Sequence, residues 1–362
     1  MLTATLIGLF VQAGFALLTC GLVRKKNAAH LVMLTFSALV VSTIAYFLLG
    51  RRIEAGGDQF LQLALMLVAG YILVGAVCER ISFRAFIVAE IFLAALLYPA
   101  FARLAWHGGW LSRHGFMDFA GSSVVHSLGG FAALALAKVL GPRVGKYGRD
   151  GQPRPFLAHN IVFVGVGSVI VLTGWMALLI ARLPPNSISG EALAMNAILA
   201  ATGGAAAAMA FWTFSYGMPD ISMACNGLLA GVVAISASGP LVGPQASLVI
   251  GVVAGLIACG GVLFNEKKLR VDDPCGSIAV HGYAGWWGTV AAGVAAWNGP
   301  MQILAQIAGA TACAVYAFAG TYVVFSLINA NWRMRVDAEV EAEGLDLTQF
   351  GMLAYPDEEG LP

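Results

Sequence analysis

Eleven apolar runs fill most of the chain, at approximately 2–22, 29–49, 60–79, 84–106, 118–140, 156–181, 193–216, 221–240, 245–264, 275–297 and 301–330, with short polar breaks between them. Each is long enough to cross a bilayer as a helix, which takes roughly 17–25 residues. A segment in lipid must satisfy its own backbone N–H and C=O groups, which leaves a helical bundle or a closed barrel. Barrel strands would read as alternating stretches of about ten residues, and these runs do not alternate. The expected class is an all-α polytopic membrane protein. Composition agrees, with 59% hydrophobic and only 11% charged residues, against about 25% charged in a soluble domain.

Charge sets an expected orientation. With the N-terminus outside, the inner side receives Arg24, Lys25, Lys26, Arg80, Arg84, Lys138, Arg143, Lys146, Arg149, Arg154, Lys267, Lys268, Arg270, Arg333 and Arg335, leaving Arg51, Arg52, Arg103, Arg113 and Arg182 outside. That bias satisfies the positive-inside rule and puts the tail from about 331 in the cytoplasm. The first run has its basic cluster after it, opposite to a secretory signal peptide, and reads as a retained helix. The six cysteines (Cys20, Cys78, Cys225, Cys259, Cys275, Cys313) stand singly in or beside apolar runs, without disulfide or metal spacing, and read as packing residues. A net charge of +1 without an aromatic-interleaved basic stripe gives no reason to expect nucleic acid.

One motif occurs twice. "DFAGSSVVHSLGG" at 118–130 returns 155 positions later as "DPCGSIAVHGYAG" at 273–285, and both fit D-x-x-G-S-x-x-V-H-x-x-x-G. The first copy opens the fifth run and the second the tenth, so an odd number of crossings separates them and they run oppositely through the membrane. Transport folds use such inverted repeats, with the site at mid-membrane between the halves. As an α-helix rising 1.5 Å per residue, each copy carries its His about 12 Å from its Asp, towards the middle of a core about 30 Å thick. His126 arrives from outside and His281 from inside.

Two imidazoles at that depth are costly unless they bond each other or line a polar path. A neutral ring both donates and accepts a hydrogen bond, so a facing pair can hold one shared proton and relay others. The plainer alternative is a pair of packing histidines inherited through a duplication. No carboxylate or Cys shares their helical faces at ligand spacing, so neither a metal nor another cofactor is expected. Asp118 and Asp273 suit the capping of free N–H groups, and Asp118, facing outside, can also favour cations at an entrance. Glycine and alanine stretches such as "GGAAAAMA" at 203–210 allow close helix packing. No catalytic constellation appears, and an enzyme is not expected.

The segments "LVRKKN" (22–27), "CERISF" (78–83), "WHGGWL" (106–111), "MDFAGSSVVHSLGG" (117–130), "ACNGLLAGVVAISA" (224–237), "RVDDPC" (270–275) and "VHGYAGWWGTV" (280–290) together resemble the Amt/Mep/Rh ammonium transporter family, on its Amt side. The likeness covers nearly the whole chain, including "GLDLTQFGMLAYP" in the tail. It implies an eleven-helix transmembrane domain over 1–330, with two inverted five-helix repeats (about 1–140 and 156–297) and a long last helix (301–330), followed by a cytoplasmic tail (331–362). It also implies a homotrimer in the cytoplasmic membrane with one pore per subunit, and a PII-like nitrogen-regulatory trimer as a cytoplasmic partner. By the same resemblance His126 and His281 line a narrow hydrophobic pore, with Trp175 beside it, while Asp118 supports an outer ammonium-recruitment site walled by Trp106.

Several positions depart from the family pattern. The first gate phenylalanine falls on Leu65 and the second on Leu178, and a serine that helps bind the outer ion falls on Arg182. Leucine closes a pore sterically but offers a cation no quadrupole. Arg182 either faces the mouth, where it would repel ammonium, or snorkels to the outer surface, which is the milder and preferred reading. The link "RRIEAGGDQF" at 51–60 is shorter than is usual in the family. Glu90, inside the fourth run, either reaches the inner interface, the preferred reading, or makes a polar contact at a subunit or pore surface. His30, His107, His114 and His159 fall near run ends and read as ordinary interface residues.

Ammonium transport is the leading functional expectation. Its rival is a receptor that binds ammonium through the same surfaces, conducts poorly and signals through its C-terminal region; a neutral-gas channel is a third. The sequence leaves open whether a separated proton travels with the ammonia. The tail is acidic and too small for an enzyme, and is expected to pack on the inner face and couple neighbouring subunits.

Overall fold

The computed structural model describes residues 1–355, and the end of the expected tail, 356–362, lies outside the described residues. Among the described residues the ordered elements are helices, with two isolated backbone bridges, Ile81 to Arg335 and Tyr147 to Pro153. Nine helices there are long and apolar enough to cross a membrane: Leu2–Leu22, Lys25–Glu54, Gln59–Val77, Phe83–Arg113, Ser122–Leu140, Ile161–Arg182, Gly190–Tyr216, Pro244–Leu269 and Pro300–Asn331. The remaining expected runs, 221–240 and 275–297, form shorter helices, Ile221–Ile235 and Ile278–Tyr283 continued by Ala284–Ala295. The first of these stops early because "SASGP" at 236–240 ends in the Gly-Pro pair that a helix cannot continue through.

Small residues bring the helices into backbone contact. A methyl group on Gly204 would strike the Gly227 carbonyl, and one on Gly231 or Gly251 would strike the Ala200 carbonyl. In lipid, where apolar surface gains nothing by leaving water, such close approach supplies the packing attraction between helices.

The two motif copies meet each other. Gly130, the last glycine of the first copy, lies against the Gly282 backbone, and Gly285, its counterpart, lies against the Ser122 carbonyl and Ser127. Ser127 Oγ donates to the Gly282 carbonyl at 3.0 Å. Contacts that pair rising numbers in one copy with falling numbers in the other mean that the two segments cross antiparallel. Gly130→Ala is expected to lower the thermal unfolding midpoint in detergent, because the atom it would strike is backbone, and overpacking of this kind costs about 1–3 kcal/mol. Gly165→Ala, with nothing within 4 Å of the added carbon, is the control and should leave the midpoint unchanged.

One end of the bundle is tied by a buried ion cluster. Arg143 donates to Asp272 from its backbone N (2.9 Å), Nε (2.7 Å) and Nη2 (2.9 Å), and its Nη1 donates to Glu79. Glu79 also accepts from Arg24 Nε (3.0 Å) and Asn27 Nδ2 (2.8 Å). Arg80 is fully buried and bonds the carbonyls of Ala76 (2.9 Å), Gly141 (2.8 Å) and Asp272 (2.8 Å). The tail closes over this end. Asp346 accepts from the Ala29 (3.0 Å) and His30 (2.7 Å) amides, capping the second span. Glu341 accepts from Arg335 Nη2 (2.6 Å) and the Val144 amide (2.6 Å).

Two expected placements are corrected here. His30 is fully buried under the tail, its ring 5.8 Å from Phe350, because Asp346 pins that helix end beneath the tail instead of leaving it at an interface. Glu90 reaches neither the interface nor a surface: it is fully buried, takes a 2.6 Å bond from Ser42 Oγ and fills the space left by Gly70. His107, set at φ 54°, remains exposed near its run end while bonding the buried Glu54 carboxyl at 3.1 Å. His114 remains exposed, and His159 is half-buried against Tyr355 at 3.1 Å.

Candidate functional site: a buried histidine pair beneath an aromatic mouth

The repeated motif builds the same local structure twice. Asp118 accepts from the amides of Gly121 (3.0 Å), Ser123 (2.9 Å) and Val124 (2.8 Å), and Asp273 accepts from Ile278 N at 2.7 Å. The capping role expected of both is therefore met. The motif's first glycine is needed because Gly121 (φ 102°) and Gly276 (φ 74°) are left-handed, a conformation an L side chain resists. Each histidine then sits in a π-helical turn, Ser122–Ser127 and Ile278–Tyr283. Such turns are rare and concentrate at functional sites. The straight 12 Å rise from Asp to His is accordingly corrected: the residues after Asp118 form a bent cap, and a π turn advances less per residue than an α-helix.

His126 and His281 come together. Their Nδ1 atoms are 3.2 Å apart, and the rings are stacked at 22° with centroids 5.2 Å apart. Both are almost fully buried. Trp175 covers His126 (centroids 4.5 Å) and is held by its Nε1 donating to Ser236 Oγ at 2.8 Å, while Phe15 lies 5.8 Å from His281. With one Nδ1 protonated and the other not, a single proton bridges the rings. Each Nε2 is then left for something else, and His126 Nε2 is buried with no hydrogen bond to any described residue. A buried polar atom left this way calls for an explanation.

Trp106, Asp118 and Arg182 form a second group. Trp106 Nε1 donates to the Asp118 carbonyl at 2.6 Å, fixing the indole. Arg182 does not snorkel: its guanidinium carbon lies 3.9 Å from the Trp106 ring centroid and its Nε donates to the Phe119 carbonyl at 2.5 Å. The cation rests on an aromatic face and bonds a carbonyl. Leu65 and Leu178 are both buried, and Leu178 packs over Gly8 one turn along the helix from Trp175.

Sequence reasoning missed the neighbours of Arg182. Tyr46 donates to Glu54 at 2.5 Å, and with the Gln62 amide oriented to suit both sides it links Glu54 Oε1 and Arg182 Nη1, each at 3.1 Å. The signal was the short link at 51–60, which draws Glu54 onto this end of the bundle.

A bundle of helices long and apolar enough to cross a membrane is that of a multi-pass membrane protein. The Ammonium Transporter Family model matches residues 1–66 and 51–355. The chain belongs to that family, whose members are transporters and not enzymes. It is 34% identical to the ammonium transporter Amt2 of Archaeoglobus fulgidus over 96% of this chain and 86% of the relative, and 32% identical to Amt1 of Haloferax mediterranei over 99% and 78%. Among solved structures it is similar to a sensor Amt protein (TM-score 0.91, 27% identity, 96% of each chain). The fold is also that of Candida albicans Mep2 (TM-score 0.82, 24% identity, 93% of this chain and 85% of that one).

Proposed function

We propose that the protein moves ammonium across the cytoplasmic membrane by taking up the ion at the Trp106 end and splitting it, so that ammonia passes along His126 and His281 while the separated proton is relayed through the same imidazole pair and rejoins the ammonia inside. The observation that carries this reading is the 3.2 Å contact between two buried imidazoles. A full cation entering hydrocarbon costs several kcal/mol even on the gentler scales, whereas ammonia is small and neutral. With the His126 proton on Nδ1, its Nε2, unpartnered and buried, is an acceptor suited to an ammonia N–H. The eleven-crossing architecture is supported by adding the two shorter helices to the nine long ones. The antiparallel meeting of the motif copies supports inverted halves, with the Trp106 end outside and the ion cluster and tail in the cytoplasm. A homotrimer, and a PII-like partner at the tail end, extend this reading.

A second reading, an ammonium receptor with little transport, is favoured by two observations: the likeness to a solved sensor Amt protein and the guanidinium resting on Trp106. Ammonium pulses on the purified protein in supported membranes separate the two. Saturable current supports transport; tight binding without current supports the receptor; neither removes both.

The leucines at the gate positions are expected to leave flux higher than phenylalanines would. Leu65→Phe with Leu178→Phe should slow methylammonium uptake without abolishing it, and a tenfold increase would contradict this.

A further inference from the structure

We propose that Arg182 is a tethered occupant of the outer cation site, so that an external ammonium ion binds on Trp106 only by displacing the protein's own guanidinium. The proposal rests on the reading of the Trp106 end as the place where the ion is taken up.

The groups an incoming cation would use there are already engaged, most of them by Arg182. The indole face is covered, with the guanidinium carbon 3.9 Å from the ring centroid. The Phe119 carbonyl, one residue beyond Asp118, is taken by Arg182 Nε at 2.5 Å. The Gln62 oxygen is within reach of Nη1 at 3.1 Å, and through Gln62 the guanidinium couples to the buried Glu54 carboxyl. The Asp118 carboxylate is spent on three backbone amides. It contributes field but no free oxygen to the mouth.

The arrangement is built and not incidental. Trp106 is locked by its bond to the Asp118 carbonyl at 2.6 Å, and Glu54 is locked by Tyr46 and His107 at 2.5 and 3.1 Å. Arg182 is the last residue of its helix, with extended chain following at Leu183, and its side chain is only half-buried, so withdrawal towards solvent requires no break in the helix.

A group tethered this way competes at an effective concentration of order millimolar or higher. External ammonium at micromolar levels therefore meets a site that is nearly always filled. Removing the side chain should tighten ammonium binding at least tenfold, and the vacated space should accept a free planar cation.

Guanidinium chloride at a few millimolar tests this on purified Arg182→Ala, the wild type and Arg182→Ala with Trp106→Leu, against matched sodium chloride and urea. The expected result is a guanidinium-specific rise in thermal midpoint of about 2 °C or more in Arg182→Ala, none in the wild type and none in the double variant. Equal shifts in all three, or no shift in Arg182→Ala, would overturn the proposal. Should that variant not fold, a cryo-electron microscopy map of the wild type in ammonium-free buffer decides. Guanidinium density on the Trp106 face upholds the proposal, and a side chain directed to bulk solvent ends it. Binding of guanidinium by Arg182→Ala without any ammonium current would sustain this inference while removing the transport reading.

Discussion

Arg143→Ala is expected to destabilise the protein by about 3–5 kcal/mol, the range typical of breaking a buried ion pair from one side. Arg143 is buried and its guanidinium serves two buried carboxylates, Asp272 through two hydrogen bonds and Glu79 through one. Burial alone would raise both acids, but Arg143 outweighs it and holds each below its usual range, with help from Arg24 at Glu79 and Arg80 at Asp272. The sign of the pH dependence follows. A carboxyl depressed in the folded state contributes stability that is complete above its unfolded value, near about 4, and is lost as pH falls through the folded value. The penalty for removing Arg143 should thus be largest at neutral pH and shrink below about pH 4, as read from unfolding midpoints in detergent. A penalty that grew with acid would show that the cluster does not work this way.

His126→Ala is expected to cut methylammonium uptake at least tenfold while leaving the protein folded. The substitution removes one of two rings that hold a bridging proton, and with it the unpartnered Nε2. It leaves the cap at Asp118, the left-handed Gly121 and the Gly130 contact with the second copy intact. The backbone that positions the site therefore stays the same. What changes is the polar path: the imidazole is replaced by a methyl group between Trp175 and His281, and a proton or ammonia crossing that gap has no hydrogen-bonding group to move along. If the rings only packed, the loss would appear in stability and not in uptake.

The apolar runs and the repeated motif made much of this legible before any coordinates. Run length shows the helical membrane class directly, because lipid admits few alternatives, and the repeat singled out His126 and His281. Other features were hidden for a physical reason. A π turn has no period that sequence reveals, so the spacing of each motif predicts straight α-helix around its histidine. Arg182 and Glu54 are 128 positions apart and meet only through Gln62, so an arginine near a span end was given the default of reaching to the surface. Distance from a run end does not decide the burial of His30 and Glu90, which depends on what lies over them, the tail for His30 and the Gly70 notch for Glu90.

Transport by the proposed route requires the paired imidazoles to carry the substrate. Ammonium pulses on supported membranes bearing wild type and His126→Ala at matched protein density test this most directly. A saturable wild-type response that disappears in the variant is the predicted result. A variant response as large as the wild type's would contradict it, since ammonium would then be crossing by a route that does not touch His126.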